Sequence, residues 1–315
     1  MSRYLVTGGA GFIGSHLVDV LVANGETVRV IDNLSTGTRD NVLRHARVEF
    51  IEEDLVEPGI ASKAVEGIEY VCHLAAIPSV PRSLEDPIAT NRANVDSTLQ
   101  LLLAARDANI RRLVFASSSS VYGDSSTLPK HERMPPKPLS PYALQKLFSE
   151  EYMLLFNKLY GLDTISLRFF NVFGPRQNPK SPYSGVISLF ISALCDGRQP
   201  TIYGDGEQTR DFTYVSDIAN GLLAACRADR ISGEVVNLAR GGRTSLNQLF
   251  KILQNSLGTT IEPVYRSKRE GDIRDSQADI TRAHRLLGFN PRVTIEDGLR
   301  QTVEWYCDSV QNLEA

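Results

Sequence analysis

The chain has 315 residues, 42% of them apolar and 23% charged, with a formal net charge of −3. This profile predicts a globular protein with a sizeable core and excludes the electrostatic footprint of a nucleic-acid or anionic-membrane binder. No window approaches the ~18 continuous apolar residues of a membrane span, and glycines interrupt the N-terminal segment where a signal peptide needs its apolar core, so a soluble, cytoplasmic protein is expected.

In chain order, the first signal is an apolar strand at Arg3–Thr7, followed by Gly8-Gly9-Ala10-Gly11-Phe12-Ile13-Gly14 and the opening of an apolar-faced helix. Gly8 suits a tight turn, Gly11 a close approach of backbone N–H groups to a pyrophosphate, and Gly14 close packing of helix on strand. The helix N-terminus presents unpaired donors and a positive dipole end to such an anion. A second strand, Thr27–Ile31, ends in Asp32, placed to accept hydrogen bonds from adenosine ribose hydroxyls. The same carboxylate would repel a 2′-phosphate, and the next arginine is Arg39, which favours NAD over NADP. Asn33 adjoins that carboxylate, and Asp54-Leu55, after a third strand at Val48–Ile51, could hold the adenine amine.

Further strands are expected at Tyr70–Leu74, Arg112–Ala116 and Thr164–Phe169, with helical patterns at 87–108 and 141–160 between them. Such alternation predicts an α/β fold of the doubly wound Rossmann type, a parallel sheet with helices on both faces and ligands at the strands' carboxyl ends. Beyond residue 170 the rhythm loosens, and Gly174-Pro175, Pro179, Ser181-Pro182 and Ser184-Gly185 mark a long loop. The expected division is a dinucleotide-binding domain at 1–170, to which 212–240 return, and a smaller cap at 171–211 and 241–315. Both long helices carry more apolar residues than one buried face needs, including Tyr152, Met153, Leu154, Leu155 and Phe156. A homodimer built on them is expected, although burial within one subunit accounts for them nearly as well. The four cysteines, Cys72, Cys195, Cys226 and Cys307, lie far apart in apolar surroundings. They predict buried free thiols rather than disulfides or a metal centre.

The chemistry concentrates after the fifth strand. Ser117–Ser120 lead into Val121-Tyr122-Gly123, and downstream Tyr142-Ala143-Leu144-Gln145-Lys146 follows Pro141, which suits the first turn of a helix. The i, i+4 spacing puts phenol and ammonium on one face. A lysine there is expected to stabilise phenolate and lower the tyrosine pKa towards neutrality, giving a general base.

The fingerprint Thr7–Gly14, His73-Leu74-Ala75-Ala76, the serine run and Tyr142-x-x-x-Lys146 resemble the extended short-chain dehydrogenase/reductase family. The segments 168–176, 205–212 and 269–272 resemble its nucleotide-sugar branch, and the likeness covers essentially the whole chain. It implies a catalytic set of Ser118, Tyr142 and Lys146, with Lys146 also holding the nicotinamide ribose. Leu74, Ala75 and Ala76 would border the cofactor along with Phe12 and Ile13. For the donor nucleotide it implies Asn171 on the diphosphate, Arg210 and Arg269 neutralising it, and Val186, Tyr203 and Asp272 around uridine. Dehydratases of the family carry Asp-Glu beside the serine and decarboxylases a glutamate, whereas this chain has Ser119-Ser120. The resemblance therefore implies reversible hydride transfer by a 4-epimerase with tightly bound NAD, regenerated each turnover, acting on a UDP-sugar.

Substrate choice can be read one step further. Segments 271–279 and 79–83, with Arg176-Gln177, are most similar to UDP-N-acetylglucosamine 4-epimerases. Epimerases limited to non-acetylated sugars carry a bulky tyrosine where this chain has Ser276. A serine leaves room for an N-acetyl group, whose amide Ser79 and Gln177 could hydrogen-bond. Pro78 stands where many UDP-galactose epimerases have lysine. The alternatives are a UDP-glucose or UDP-glucuronate 4-epimerase and, more remotely, a non-catalytic NAD-binding regulator.

Overall fold

The computed structural model describes residues 2–42, 47–177, 185–229, 231–268 and 273–314, with side chains to residue 308. The chain opens with β1 (Arg3–Thr7), α1 (Phe12–Ala23), β2 (Thr27–Ile31), β3 (Val48–Ile51), α2 (Ile60–Val65) and β4 (Tyr70–His73). There follow α3 (Val80–Glu85), α4 (Pro87–Asn91), a π-helical turn (Arg92–Asp96), α5 (Ser97–Asp107), β5 (Arg112–Ser118), α6 (Pro141–Tyr160) and β6 (Thr164–Phe169). The remainder holds β7 (Asn171–Phe173), α7 (Val186–Cys195), β8 (Thr201–Tyr203), β9 (Thr209–Arg210), β10 (Phe212–Tyr214), α8 (Val215–Arg227) and β11 (Glu234–Leu238). It ends in β12 (Thr244–Ser245), α9 (Leu246–Ser256), β13 (Val264–Arg266), α10 (Thr281–Leu287) and α11 (Ile295–Glu314).

Seven strands form one sheet in the order β11-β6-β5-β4-β1-β2-β3, and every pair in it is parallel. The order reverses direction between β1 and β4, and at that switch point the two adjoining crossovers leave on opposite faces and open a crevice. The glycine-rich turn after β1 lies at this crevice. β11 adds the seventh strand from far along the chain, while β10 pairs with β7 in a separate two-stranded sheet.

Helix α1 buries Leu17, Val18 and Leu21 completely against the sheet and α8, a contribution of roughly 1.5–3 kcal/mol per side chain. The opposite face is covered by α2, α5 and α6 through Leu101, Leu102, Met153 and Phe156. A third cluster, including Phe173, Phe190, Phe250 and Leu299, builds the core of the C-terminal part. The pattern read as one helix over 87–108 is α4, the π turn and α5 in succession; the extra residue of the π turn rotates the following faces. Cys72 and Cys226 are buried free thiols, with their sulfurs 3.3 Å apart. The other two are also free thiols but depart from the expected burial: Cys195 is exposed at the end of α7 and Cys307 is half-buried. Among the described residues, no helix is long and apolar enough to cross a membrane.

Candidate active site

A cleft of about 1280 Å³ runs along the carboxyl ends of the sheet. At one end stand Asp32, Asn33, Asp54 and Leu55, and at the other Ser118, Tyr142, Lys146, Asn171 and Gln177. Between them lie Gly8, Gly11, Phe12, Ile13 and Gly14 on one wall and Leu74, Ala75, Ala76 and Ser79 on the other. The glycine turn is shaped by hard contacts. Gly8 has φ +68°, and a Cβ on Gly14 would lie 2.2 Å from the Gly8 carbonyl oxygen. A Cβ on Gly11 would meet only that oxygen, at 3.2 Å, leaving its other side open.

Asp32 is held by the backbone it serves: Ala10 N–H donates to Oδ2 at 3.0 Å and Leu34 N–H to Oδ1 at 2.9 Å. Burial pushes its carboxyl up, and these backbone donors oppose the rise. Asn33 donates to Asp54 at 2.8 Å, which joins the ends of β2 and β3 at the cleft. Thr7 and His73, ending β1 and β4, meet through Oγ1 and Nδ1 at 2.7 Å. Thr7 Oγ1 also accepts from Leu74 and Ala75 N–H, at 3.2 and 3.1 Å, so this pair sets the wall of the crevice.

The catalytic candidates converge from β5 and α6. Ser140 caps α6 by accepting from Ala143 N–H at 3.2 Å, and Pro141 opens the helix. Tyr142 therefore sits on the first turn and hydrogen-bonds Ser118. Lys146, one turn on, donates to the Ala116 carbonyl at 2.8 Å, with Nζ 4.7 Å from the Phe115 ring centroid and 6.0 Å from that of Tyr142. The electrostatics differ from the expectation. Burial raises the Tyr142 phenol to about 12, and the Ser118 hydrogen bond only partly offsets it. Burial likewise draws Lys146 down to about 7, against the attraction of Glu150. Protein groups alone thus do not bring the phenol towards neutrality, because desolvation outweighs the Ser118 hydrogen bond. His73, fully enclosed and facing Lys146, is lowered to about 3 and stays neutral.

The model of the NAD dependent epimerase/dehydratase family matches residues 4–239. The chain belongs to that family. Among its relatives is a protein named putative UDP-glucose 4-epimerase from Methanocaldococcus jannaschii, 41% identical over 96% of this chain and 97% of that one. A solved UDP-N-acetylglucosamine 4-epimerase from Methanobrevibacter ruminantium M1, in complex with UDP-N-acetylmuramic acid, is 42% identical. It superposes with a TM-score of 0.94 over 98% of this chain and 99% of that one. The UDP-glucuronic acid 4-epimerase of Bacillus cereus, solved with UDP-glucuronic acid and NAD, is 34% identical, with a TM-score of 0.91 over 98% and 99% of the two chains.

The cofactor of the epimerase/dehydratase family is NAD, and the cleft fits it. The open side of Gly11, the α1 N-terminus and the Asp32 carboxylate follow one another in the order of pyrophosphate and adenosine ribose. Other residues named from the resemblance stand apart from this cleft. Ser119 and Ser120 form the short turn after β5, with Ser120 N–H donating to Ser118 Oγ at 3.1 Å. Val186 opens α7 and packs on the third core cluster. Tyr203 borders a separate open hollow of about 590 Å³ with Tyr265, Arg266 and Ser267. Arg210 Nη1 donates to the Thr209 and Arg274 carbonyls, and Ser276 N–H to the Thr209 carbonyl at 3.1 Å, so these two share one small cluster. Arg269 and Asp272 lie outside the described residues, as does the loop segment 178–184.

Sequence reasoning gave no role to several cleft residues. Arg176 has φ +66° and pairs with Asp19, while His16 Nε2 donates to the Pro175 carbonyl at 3.0 Å. Both contacts tie the loop carrying Gln177 to α1. Trp305 and Tyr306 reach the same cleft from α11. The positive φ at a non-glycine residue has no sequence signal, and nothing local to Trp305 marks its return to the cleft.

Proposed function

We propose that the enzyme interconverts UDP-N-acetylglucosamine and UDP-N-acetylgalactosamine by inversion at C4. The coarser statement, a UDP-sugar 4-epimerase, rests on family membership and on relatives named for that activity. The acetamido preference is carried by Gln177. It lines the cleft with Ser79 and the catalytic residues, and its buried side-chain oxygen has no hydrogen-bond partner among the described residues. An acetamido N–H would satisfy that acceptor; a 2-hydroxyl can donate to it as well, so the preference rests on the acetyl group packing beside Ser79 and Gln177, which a 2-hydroxyl leaves unfilled.

In this reading Tyr142 Oη takes the C4 hydroxyl proton, Ser118 Oγ shares it, and Lys146 holds positive charge beside the phenolate. When bound, NAD would supply reversible hydride exchange at C4, so that Tyr142, Ser118 and Lys146 would have only the hydroxyl proton to manage and no second acid or base would be required. The same proposal divides the chain into 1–170 with 212–240 for the cofactor and 171–211 with 241–315 for the nucleotide sugar. Arg210, Tyr203, Val186, Ser276, Arg269 and Asp272 are assigned to the latter.

A homodimer is part of the proposal. Leu144, Phe148, Leu155 and Leu159 form an exposed stripe on α6, with spacings of four and seven residues that keep them on one face. Ile88 of α4 is 82% exposed and Leu103 of α5 partly so, on helices that pack beside α6. A second copy related by a two-fold axis would cover this face with the same face.

The deciding test is proton NMR of the purified protein with UDP-N-acetylglucosamine or UDP-glucose and no added cofactor. Faster epimerisation of the acetylated sugar supports both the retained NAD and the Gln177 reading. Faster turnover of UDP-glucose keeps the epimerase and refutes the acetamido preference.

A further inference from the structure

Beneath the catalytic lysine lies a buried charge that the reaction scheme does not use. Glu150 is one helical turn after Lys146 on α6 and is 1% exposed. Arg168 of β6, 3% exposed, grips it with two parallel bonds, Nε to Oε1 at 2.9 Å and Nη2 to Oε2 at 2.7 Å. Ser117, the neighbour of Ser118, donates its hydroxyl to Oε1 as well. The carboxylate is therefore anchored to β5 and β6, the two strands whose ends carry Ser118 and lead to Asn171.

We propose that Glu150 is a positioning residue for catalysis: fixed by Arg168 and Ser117, its carboxylate keeps Lys146 charged and aligned beneath Tyr142. Among the described residues, Glu150 is the acidic group found to act on Lys146. Tyr142 and Glu150 face it from its own helix, Phe115 and the Ala116 carbonyl from β5, and His73 from β4. His73 is neutral, and burial draws the lysine down to about 7 even with Glu150 opposing the fall. Stability is a poor reason for the pair, because a buried ion pair is often replaceable by apolar residues at no cost. Arg168 also keeps one buried nitrogen without a hydrogen-bond partner among the described residues, its guanidinium lying 4.7 Å from the Tyr122 ring centroid.

The inference rests on Tyr142 acting as the base, so the experiment reads tyrosine ionisation as well as turnover. NAD-retaining wild type, Glu150→Gln and Glu150→Asp are compared by kcat/KM against pH and by tyrosinate absorbance, with Tyr142→Phe assigning the signal. Without the carboxylate Lys146 loses its proton at lower pH, the phenolate loses its partner, and Tyr142 ionises at higher pH. Glu150→Gln should move the acid limb and the tyrosinate midpoint up by roughly 1–3 pH units, with about tenfold or greater loss at neutral pH. Glu150→Asp keeps the charge and should keep the wild-type limb. Should Glu150→Gln fail to fold, Glu150→Leu/Arg168→Met removes both charges together and should displace the limb in the same direction by less, because the Arg168 cation leaves with the carboxylate. An unchanged limb with only a lower Tm, or equal impairment of Gln and Asp variants, would overturn the proposal. A tyrosinate midpoint that shifts while the acid limb stays in place would instead overturn Tyr142 as the base.

Discussion

The glycine turn offers a prediction in which folding and cofactor retention separate. In Gly14→Ala the new methyl carbon would lie 2.2 Å from the Gly8 carbonyl oxygen and 2.7 Å from Gly9 Cα. Ordinary contact begins near 3.4 Å, so α1 must withdraw from the turn by more than 1 Å. Both obstructing atoms are backbone and cannot rotate aside. Leu17, Val18 and Leu21 lock the same helix into the core, so withdrawal also loosens packing against the sheet. Overpacking of this kind costs about 1–3 kcal/mol or more, which for a chain of this size lowers Tm by roughly 2–5 °C. Withdrawal also carries the α1 N-terminus and its donors away from the pyrophosphate position, so the purified variant should hold little NAD. Gly11→Ala is the contrast. Gly11 has φ −76° and a single neighbour at 3.2 Å, so Tm should stay close to wild type. Its methyl group nevertheless enters the open side assigned to the pyrophosphate, and NAD content should fall. Both variants are read by thermal unfolding and by NAD released on denaturation. Wild-type Tm and NAD content in Gly14→Ala would refute the packing argument, and full NAD content in Gly11→Ala would refute the pyrophosphate placement.

Tyr142→Phe removes the only atom proposed to take the C4 proton, and turnover should drop by at least about a hundredfold while NAD content is unchanged; retained turnover sinks the mechanism. His73 supplies a pH dependence of stability. Its folded value of about 3 lies below the ordinary 6.5, so the unfolded chain takes up the proton first and stability falls as pH drops from 6.5 towards 3. Urea unfolding at pH 5 should show a loss of about 2 kcal/mol relative to neutral pH that His73→Gln lacks; identical pH slopes in the two proteins would contradict it. Phe148→Glu places charge in the centre of the exposed α6 stripe and should leave a folded monomer in sedimentation, whereas an unchanged dimer, or a monomeric wild type, excludes that interface.

How much of this was legible without coordinates follows from the range of the interactions. The strand–glycine–helix unit, the cap and proline opening α6, and the Tyr142–Lys146 face are set by neighbours within a few residues, and their residue types announce them. Alternating strands and helices likewise implied a parallel sheet, because parallel strands need crossovers. The α/β class, Ser118 at the end of β5 and Tyr142 on the first turn of α6 were therefore readable from residue order alone. Three things were decided only by the tertiary structure. Burial set the sign of the Tyr142 shift, since desolvation depends on what the rest of the chain packs around the phenol. The pairing of Glu150 with Arg168 and Ser117, and of Thr7 with His73, joins elements that are distant in sequence, and no local pattern marks such partners. The cysteines divided into a buried pair and an exposed end of α7 for the same reason: hydropathy reports the neighbours along the chain, whereas burial is conferred by those across it.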